Sequence, residues 1–393
     1  LLSDKSEIAS KLFSEVNYII VDEIHSFLIG NRGLQLRSLL ERILRYTYKP
    51  PRMIGLSATI GEENYNLSKK FFNNGRDTNI LVDKSANDLE ITLDFFESDN
   101  ISNDVIYKIY EYAEEGPMLV FPNARERVEA IAVGLGKIAK EKNSNLKIFA
   151  HHSSVSKNRR QEIEEFAKEA RNENFVITAT STLELGIDIG AVHSVSQYGA
   201  ANSVLSLAQR LGRSGRKTGK SIFHQICSSS WDLLQSIATI SLYEEKLLDK
   251  LDETVKAYDV FAHQVLSTLL ENYGLAKEEY YYLNKTLSSF SDISDDEFKD
   301  ITNYMLEKGY IEILETEVIT GINIEKLMRI GSFYNQFVSN QVYTVYNGKG
   351  KIGELDIRPD IQVDAHIYLA GLVWKIDKLY TDQKKIIVSK AND

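Results

Sequence analysis

The stretch Tyr18-Ile19-Ile20-Val21-Asp22-Glu23-Ile24-His25 places two carboxylates directly after an apolar run rich in β-branched residues. A continuous run of this kind is typical of a strand buried in a parallel sheet, and open α/β sheets carry their ligand chemistry at the carboxyl ends of the strands. The pattern predicts that Asp22 binds a metal ion, that Glu23 polarises an attacking water and that His25 connects this site to another. The alternative interpretation is a strand followed by a solvated acidic turn.

Four further segments follow along the chain, and their order favours the first interpretation. They are Gly55-Leu56-Ser57-Ala58-Thr59-Ile60-Gly61, Leu119-Val120-Phe121-Pro122-Asn123, Thr178-Ala179-Thr180-Ser181-Thr182-Leu183-Glu184-Leu185-Gly186-Ile187-Asp188-Ile189-Gly190 and Gln209-Arg210-Leu211-Gly212-Arg213-Ser214-Gly215-Arg216. Together with Asp22-Glu23-Ile24-His25, here called the DEIH box, this set resembles motifs II to VI of the DEAD/DEAH-like superfamily 2 helicases. Within that superfamily the chain most resembles the large helicase-related (Lhr) family, in the DEIH box, the pair Arg32-Gly33 and residues 36–43, 151–154 and 183–190. The resemblance covers nearly the whole chain.

The resemblance implies a catalytic site for ATP and Mg²⁺, in which Asp22 holds the metal through the nucleotide and Glu23 and His25 take the roles given above. Arg213 and Arg216 are spaced by three residues, so they lie on one side of a helical turn and both can reach one phosphate. In the family the corresponding arginines act across a cleft on ATP bound to the first domain. A solvated basic helix is the alternative.

The resemblance adds further contacts to the nucleotide and a pair of coupling residues. Gly186 and Asp188 occupy the positions of the family's motif V, where Asp188 contacts nucleotide or braces an arginine. Gln209 and Arg210 belong to the same cofactor-binding set. The remaining pair, Ser57 and Thr59, matches the family's S-A-T element, which is thought to relay nucleotide state to strand separation. For this pair, hydroxyl capping at a strand end is the competing role.

A nucleic-acid face is also implied by the resemblance, because hydroxyls, amides and helix N-termini can hold a phosphodiester without recognising sequence. Ser153 stands where the family commonly has glycine, which puts close approach of the backbone there in doubt. The implied contacts are Phe121, Asn123, His152, Ser154, Thr180 and Ser181.

Two other groups of residues invite functional interpretations that we do not favour. His151 and His152 look like a metal-binding pair, but adjacent residues of a strand point to opposite faces. Trp374 and the run Tyr280-Tyr281-Tyr282 could stack on bases, yet core packing is the more common use of such residues.

The loop G-x-x-x-x-G-K-[ST], whose backbone amides and lysine hold a triphosphate, is missing from the 393 residues. Leu1 opens the chain, about twenty residues before the DEIH box. Since a helicase of this family carries that loop upstream of the DEIH box, we expect the chain to be the C-terminal part of a longer protein. We also expect the fragment by itself not to bind ATP normally.

The composition is that of an ordinary folded protein, with 43% apolar and 10% aromatic residues. The single cysteine, Cys227, excludes a disulfide framework or a cysteine-rich metal site and fits a reducing cytoplasm. We find no apolar stretch of about eighteen residues, so a membrane partner is not expected. The localisation predicted from these observations is cytoplasmic.

The net charge of −10 is unevenly distributed along the chain. Residues 241–316 contain 17 acids and 7 bases, which accounts for all of it, whereas residues 206–220 contain five bases and no acid. The basic segment suits phosphates. The acidic region repels them, so we expect it to brace the second lobe of the protein or to meet a basic protein partner, and not to grip duplex.

The predicted fold is α/β: two RecA-like parallel-sheet lobes, the first truncated, followed by a winged helix and a small β-barrel. In the first lobe we expect strands at 16–21 and 53–56, and between the lobes a linker at 83–103 with a strand, 91–95, inside it. Ser294 and Glu297 form a capping-box pattern that predicts a helix from Asp295. The predicted domains are 1–83 (part of RecA-like domain 1), 84–230 (RecA-like domain 2), 231–333 (linker helix and winged helix) and 334–393 (β-barrel).

The function implied by the resemblance is part of an ATP-dependent helicase or translocase that moves along single strands and unwinds duplex. The expected partner is single-stranded or partly duplex nucleic acid, with DNA favoured over RNA. Two alternatives stay open: a non-catalytic nucleic-acid-binding or scaffold module, and a translocase that remodels nucleoprotein without unwinding.

Overall fold

A computed structural model describes residues 6–72, 77–82, 88–170, 173–183, 192–215, 219–329, 333, 342–348, 350–357 and 361–391. The α-helices in these ranges are α1 (Ser6–Phe13), α2 (Gly30–Leu44), α3 (Tyr65–Phe71), α4 (Asn103–Glu114), α5 (Arg125–Glu141), α6 (Lys157–Glu169), α7 (Val204–Leu211), α8 (Ser230–Glu244), α9 (Tyr258–Asn272), α10 (Lys277–Lys285), α11 (Asp295–Glu307) and α12 (Ile322–Arg329). The strands are β1 (Tyr18–Val21), β2 (Arg52–Gly55), β3 (Asp88–Phe95), β4 (Met118–Phe121), β5 (Lys147–His151), β6 (Phe175–Ala179), β7 (Ser194–Tyr198), β8 (Lys220–Cys227), β9 (Leu275–Ala276), β10 (Ile311–Leu314), β11 (Glu317–Thr320), β12 (Val342–Asn347), β13 (Gly350–Asp356), β14 (His366–Leu369), β15 (Leu372–Tyr380) and β16 (Lys385–Lys390). No helix in the ranges above combines the length and the apolar character needed to cross a membrane.

The chain divides into two compact units. The first unit contains residues 1–82 and 250–338, and the second contains residues 83–249 and 339–393. The predicted division into four domains stays a prediction.

The first unit contains the parallel pair β1 and β2 that the sequence predicts; β1 begins two residues later than expected, and β2 has the expected length but is shifted by one residue. Tyr18 and Ile20 on β1 are 60% and 61% exposed, so the prediction that the whole run is buried is wrong for one face. Apolar residues of α2 and α3 pack with Val21 on the other face. The sheet has only two strands within the described residues, and one layer of helices buries one face of it.

The winged helix that the sequence predicts lies in the same unit. Helices α9, α10 and α11 pack on a three-stranded sheet of order β10-β11-β9. The ring of Phe261 lies 5.1 Å from that of Phe290 and 5.6 Å from that of Phe298, both at steep angles. Helix α11 begins at Asp295, and the capping box between Ser294 and Glu297 is present. These predictions are confirmed.

Helix α2 is the partner that the structure gives to the acidic winged helix. Arg42 is fully buried and donates through Nε to Glu271 Oε2 at 2.9 Å and through Nη1 to Gln264 Oε1 at 2.9 Å. Glu41 accepts the backbone N–H of Ser288 at 2.7 Å, and Arg45 donates to the carbonyl of Leu283 at 2.7 Å. Within the first unit, arginines of α2 therefore contact the acidic winged helix, and the expected protein partner of this region stays a prediction.

The second unit is built on a six-stranded sheet of order β3-β8-β7-β4-β6-β5, in which every pair is parallel. Strands β4, β6 and β7 are completely buried, as expected for the centre of a sheet with helices on both faces. The strand predicted inside a linker is the edge strand β3, which pairs with β8 along eight residues. That part of the linker prediction is wrong, because the pairing with β8 joins distant parts of the chain and has no local sign in the sequence.

A curled, open five-stranded sheet of order β13-β12-β16-β15-β14 forms the rest of the second unit. These strands lie within the residues predicted for the small β-barrel, and together they form a half-barrel. Trp374 is buried in its core and donates through Nε1 to the carbonyl of Leu369 at 2.8 Å, which confirms the core interpretation. Tyr280 in the winged helix is buried as well, whereas Tyr281 and Tyr282 are exposed, so the core prediction is wrong for these two.

Candidate nucleotide and nucleic-acid sites

The DEIH box lies at the carboxyl end of β1. One oxygen of Asp22 accepts the backbone N–H of Glu23 at 3.0 Å. Glu23 has a left-handed backbone, with φ of 51°, a conformation that is uncommon outside glycine and that tends to occur at functional sites. A 3-10 helix, Ile24–Phe27, begins directly afterwards, and the N–H of Ile24 is bonded to the carbonyl of Leu56 at 3.0 Å. The turn therefore holds both carboxylates at the end of the strand.

His25 joins the DEIH box to the S-A-T element. Its Nδ1 lies 2.8 Å from Ser57 Oγ and 3.3 Å from a carboxylate oxygen of Glu23. Ser57 Oγ also accepts the backbone N–H of Thr59 at 3.2 Å. Burial lowers the pKa of His25 below its usual value, against the opposing charges of Glu23 and Asp22, so the imidazole is neutral near pH 7. The structure thus brings three of the predicted residues together, Glu23, His25 and Ser57.

A second polar cluster lies at the carboxyl ends of β4 and β7 in the second unit. Arg210 is 2% exposed and donates to Gln197 Oε1 and, at 3.2 Å, to Asn123 Oδ1. Its guanidinium lies 5.0 Å from the ring centroid of Phe121. Asn123 has a left-handed backbone, with φ of 55°, and donates to the carbonyl of Ala200. The structure therefore places Arg210, predicted to bind the cofactor, against two residues predicted to bind nucleic acid.

Sequence reasoning missed Gln197, which completes this cluster by donating to Asn123 Oδ1 at 3.2 Å. Little signal was available beforehand, because residues 194–198 are mostly polar, and only the structure shows that all five residues of β7 are buried. Buried amides are normally hydrogen-bonded, so the burial of Gln197 indicates a polar network nearby.

The other nucleotide-binding predictions are only partly described. Arg213 follows the end of α7 and is buried, with its N–H bonded to the carbonyl of Arg210 at 3.0 Å. Gln209 is half-buried on α7. Gly186, Asp188 and Arg216 lie outside the described residues.

The two histidines at the end of β5 bind different carboxylates. His151 Nε2 lies 2.9 Å from Glu164 on α6, and His152 Nε2 lies 2.7 Å from Glu129 on α5. They point to opposite faces of the sheet, as expected for adjacent residues. Burial lowers the pKa of His151, against the hydrogen bond with Glu164. In the part of the chain that the structure describes, no group of three or more histidine, cysteine, aspartate or glutamate residues is arranged to hold a metal ion.

Glu129, on α5, also connects the half-barrel to the part of the second unit built on the six-stranded sheet. It is buried and accepts the backbone N–H groups of Ala370 and Gly371, both at 2.6 Å. Next to it, the carbonyl of Ser154 accepts the N–H of Glu354 at 2.7 Å. Sequence reasoning missed Glu129, although an acid on the apolar face of α5 was a visible signal.

The predicted nucleic-acid contacts come from three parallel strands, so they lie at one edge of the sheet. Phe121 and Asn123 follow β4, His152 and Ser154 follow β5, and Thr180 and Ser181 follow β6. Ser181 is exposed and Thr180 is half-buried, whereas His152 and Ser154 are buried. The roles assigned to all of these residues stay predictions.

Comparison with known proteins identifies the family. Residues 2–67 match the DEAD/DEAH box helicase family, and residues 102–218 match the helicase conserved C-terminal domain. The ATP-dependent helicase Lhr-Core of Methanocaldococcus jannaschii is 33% identical over 307 residues, which are 75% of this chain and 35% of that protein. Lhr-Core of Sulfolobus acidocaldarius is 29% identical over 310 residues, 74% of this chain and 34% of that protein. The chain thus spans about a third of the length of these curated relatives.

Solved structures share the fold. The Mycobacterium smegmatis helicase Lhr, bound to single-stranded DNA and AMP-PNP, matches with a TM-score of 0.73 at 24% identity. The matched part is 87% of this chain and 46% of that one. The DUF1998 helicase MrfA, bound to DNA and AMPPNP, has a TM-score of 0.73 at 20% identity over 100% of this chain and 55% of that one. The chain therefore belongs to the DEAD/DEAH-like helicases of superfamily 2, and its relatives there include helicases of the Lhr type.

Proposed function

We propose that the chain is part of a longer ATP-dependent helicase that couples ATP hydrolysis to movement along a single strand and to separation of duplex. The observation that carries this proposal is the bonded set of Glu23, His25 and Ser57 at the end of β1. A buried neutral histidine between an acid and a hydroxyl can report a change at the acid to the next strand. A solvated acidic turn needs no such partner.

The residues of the DEIH box fit Mg²⁺ held together with ATP. Mg²⁺ is commonly bound through one or two carboxylates together with substrate phosphates, and Asp22 is an exposed carboxylate with one oxygen fixed by the N–H of Glu23. When bound, Mg²⁺–ATP supplies the phosphoryl group and a cation that neutralises its charge. Glu23 would orient the attacking water and accept its proton, and His25 would pass the change at Glu23 to Ser57.

Nucleic acid would bind along the edge of the second sheet where β4, β5 and β6 end. Hydroxyls of Thr180 and Ser181 and backbone groups near Asn123 suit a phosphodiester without recognising sequence. DNA is favoured over RNA because the two solved structures described above, which share this fold, were determined with bound DNA. Arg213 and Arg216 would act on the phosphates of ATP.

The first test is the change Glu23→Gln in the full-length protein that contains this chain. The amide cannot accept the proton of the attacking water, so hydrolysis should fall on the order of a thousandfold, while binding of ATP is retained. Phosphate release and nucleotide affinity would be measured separately, with and without single-stranded DNA. The matched control is Glu63→Gln, the same change at an exposed acid of the first unit. Wild-type hydrolysis by the Glu23 variant would show that its proposed role is wrong.

The same assays separate the alternatives. ATP hydrolysis without strand separation would indicate a translocase that remodels nucleoprotein. Nucleic-acid binding without any hydrolysis by the full-length protein would indicate a binding or scaffold module. For the 393 residues alone we propose no nucleic-acid-stimulated ATPase, because they contain no G-x-x-x-x-G-K-[ST] loop. Robust turnover by that fragment would contradict this part of the proposal.

A further inference from the structure

The short segment that leads from one unit to the other is bonded to both. We call residues 249–256 the connector: the chain leaves the second unit at Asp249 and enters the first unit at Lys250. It lies between the end of α8 and the start of α9. A connecting segment is usually a solvated loop with few bonds of its own, and this one is different at both ends.

On the side of the second unit, the connector caps helix α7. Asp249 Oδ2 accepts the backbone N–H of Leu205 at 3.0 Å, and Ser203 accepts that of Ser206 at 3.0 Å. The first N–H groups of a helix have no partner inside the helix, and a carboxylate there also interacts favourably with the helix dipole. Helix α7 carries Gln209 and Arg210, so Asp249 stabilises the start of the helix that bears the arginine motif.

On the side of the first unit, the connector caps helix α2. Thr254 Oγ1 accepts the backbone N–H of Gly30 at 2.6 Å. The residue before the helix, Ile29, has no capping side chain, so the hydroxyl of Thr254 supplies the cap from a distant part of the sequence. The connector is held there by a second bond, in which Leu251 N–H donates to Asn64 Oδ1 at 2.9 Å. Helix α2 follows the DEIH box directly.

We propose that the connector is a strap that couples these two helices, with Asp249 and Thr254 as positioning residues. The two caps lie five residues apart in the sequence, and five residues of chain span at most about 18 Å, so the connector limits how far the two capped helix starts can separate. This inference rests on the proposed function for its purpose, because α7 and α2 flank the two motifs that are to act on ATP. The physical coupling itself does not depend on ATP.

Hydrogen exchange of the 393-residue chain tests the coupling without any enzymatic activity. Asp249→Ala should speed exchange in the first turn of α7, and Thr254→Val in the first turn of α2, by about fivefold, the usual worth of a cap. The distinguishing result is the cross-effect: each variant should also speed exchange at the start of the other helix, by about twofold or more. Asp252→Ala, at an exposed acid of the same connector, should change neither.

A lengthened strap separates coupling from capping. Two glycines inserted between Lys250 and Leu251 should leave both caps in place and abolish the cross-effect of either cap variant. In the full-length protein the same insertion should lower DNA-stimulated ATP turnover about tenfold, with the affinities for ATP and for DNA unchanged. Cap variants that act only on their own helix, or unchanged turnover of the insertion variant in an active enzyme, would overturn the inference. A full-length protein without any ATPase would instead contradict the proposed function, and the exchange experiment would still decide the strap.

Discussion

Two arginines, one in each unit, are buried almost completely and are used in different ways. Arg42 is 0% exposed and Arg210 is 2% exposed. Arg42 is bonded to the carboxylate of Glu271, whose second oxygen accepts the hydroxyl of Tyr46. Arg210 is bonded to the side-chain amides of Gln197 and Asn123 and lies over an aromatic ring. Burial alone therefore does not distinguish an arginine that fixes the fold from one that serves a site.

The partners make the difference. Removing one member of a buried ion pair lowers the stability of a protein by several kcal/mol, because the other charge is left without compensation. The pair of Arg42 and Glu271 therefore holds the contact between α2 and the winged helix in one arrangement. Amide groups are neutral and can change hydrogen-bond partners at a lower cost in free energy. The cluster around Arg210 also contains two residues of the proposed nucleic-acid edge. We therefore interpret the first cluster as structural and the second as part of the working site.

The largest effect that tests this comparison is expected for Arg42→Met. The variant leaves the carboxylate of Glu271 buried without its guanidinium, which should lower the free energy of opening of α9 by about 3–5 kcal/mol. Hydrogen exchange of peptides from α9 measures this free energy. Tryptophan fluorescence is less suitable, because both tryptophans, Trp231 and Trp374, lie outside the first unit. A loss below about 1 kcal/mol would be that of an exposed pair and would remove the distinction drawn above.

Two controls accompany that measurement. Lys299→Met breaks an exposed pair with Asp296 in the winged helix, and exposed pairs contribute about 0–1 kcal/mol. The double change Arg42→Met with Glu271→Met removes both charges, so it should recover a large part of the stability lost by the single variant. A double variant as unstable as the single one would show that the loss comes from packing and not from the uncompensated charge.

Local signals made much of the fold predictable. The capping box at Ser294 and Glu297 is a pattern of four residues, and it gave the first residue of α11 correctly. Strands β1 and β2 were also predicted to within two residues at each end, because apolar runs and the residues that flank them are contiguous in the sequence. The ordered motifs predicted both parallel sheets. None of these inferences needed contacts between distant residues.

The features that sequence reasoning missed depend on distant contacts. Arg42 and Glu271 are 229 residues apart, and an arginine on a helix has no local sign that its partner lies in a distant part of the sequence. Gln197 on β7 meets Arg210 on α7 only after the helix has packed back against the strand. The exposed faces of Tyr281 and Tyr282 depend equally on which side of α10 packs on its neighbours. Such pairings are set by the tertiary arrangement, which periodicity and composition do not encode.

The next smaller effect concerns the second cluster and uses a matched pair of glutamines. Gln197 on β7 and Gln225 on β8 are both buried and stand opposite each other in the sheet. Gln197→Leu removes bonds to Arg210 and Asn123, so single-stranded DNA should bind about tenfold more weakly to the full-length protein, which corresponds to about 1.4 kcal/mol. Gln225→Leu removes bonds to backbone carbonyls such as that of Gly199 and should change DNA affinity less than twofold. Equal losses in both variants would mean that the cluster around Arg210 serves the fold and not the site.

The smallest effect is expected at the rim of the first cluster, where Glu41 faces the winged helix. Its carboxylate is partly exposed and accepts the hydroxyl of Ser289 at 2.9 Å and the N–H of Ser288 at 2.7 Å. In Glu41→Gln one oxygen still accepts, while the new amide N–H₂ loses one bond and the partly exposed ion pair with Arg37 Nε at 3.4 Å is lost as well, which together cost about 1 kcal/mol. Water can partly replace that bond at the rim, but it cannot reach Glu271. Hydrogen exchange in the 3-10 helix Ser288–Phe290 measures the loss, with Glu63→Gln as control. A cost as large as that of Arg42→Met would show that water is excluded from the whole contact between α2 and the winged helix. The distinction between a partly exposed rim at Glu41 and a buried centre at Glu271 would then be wrong.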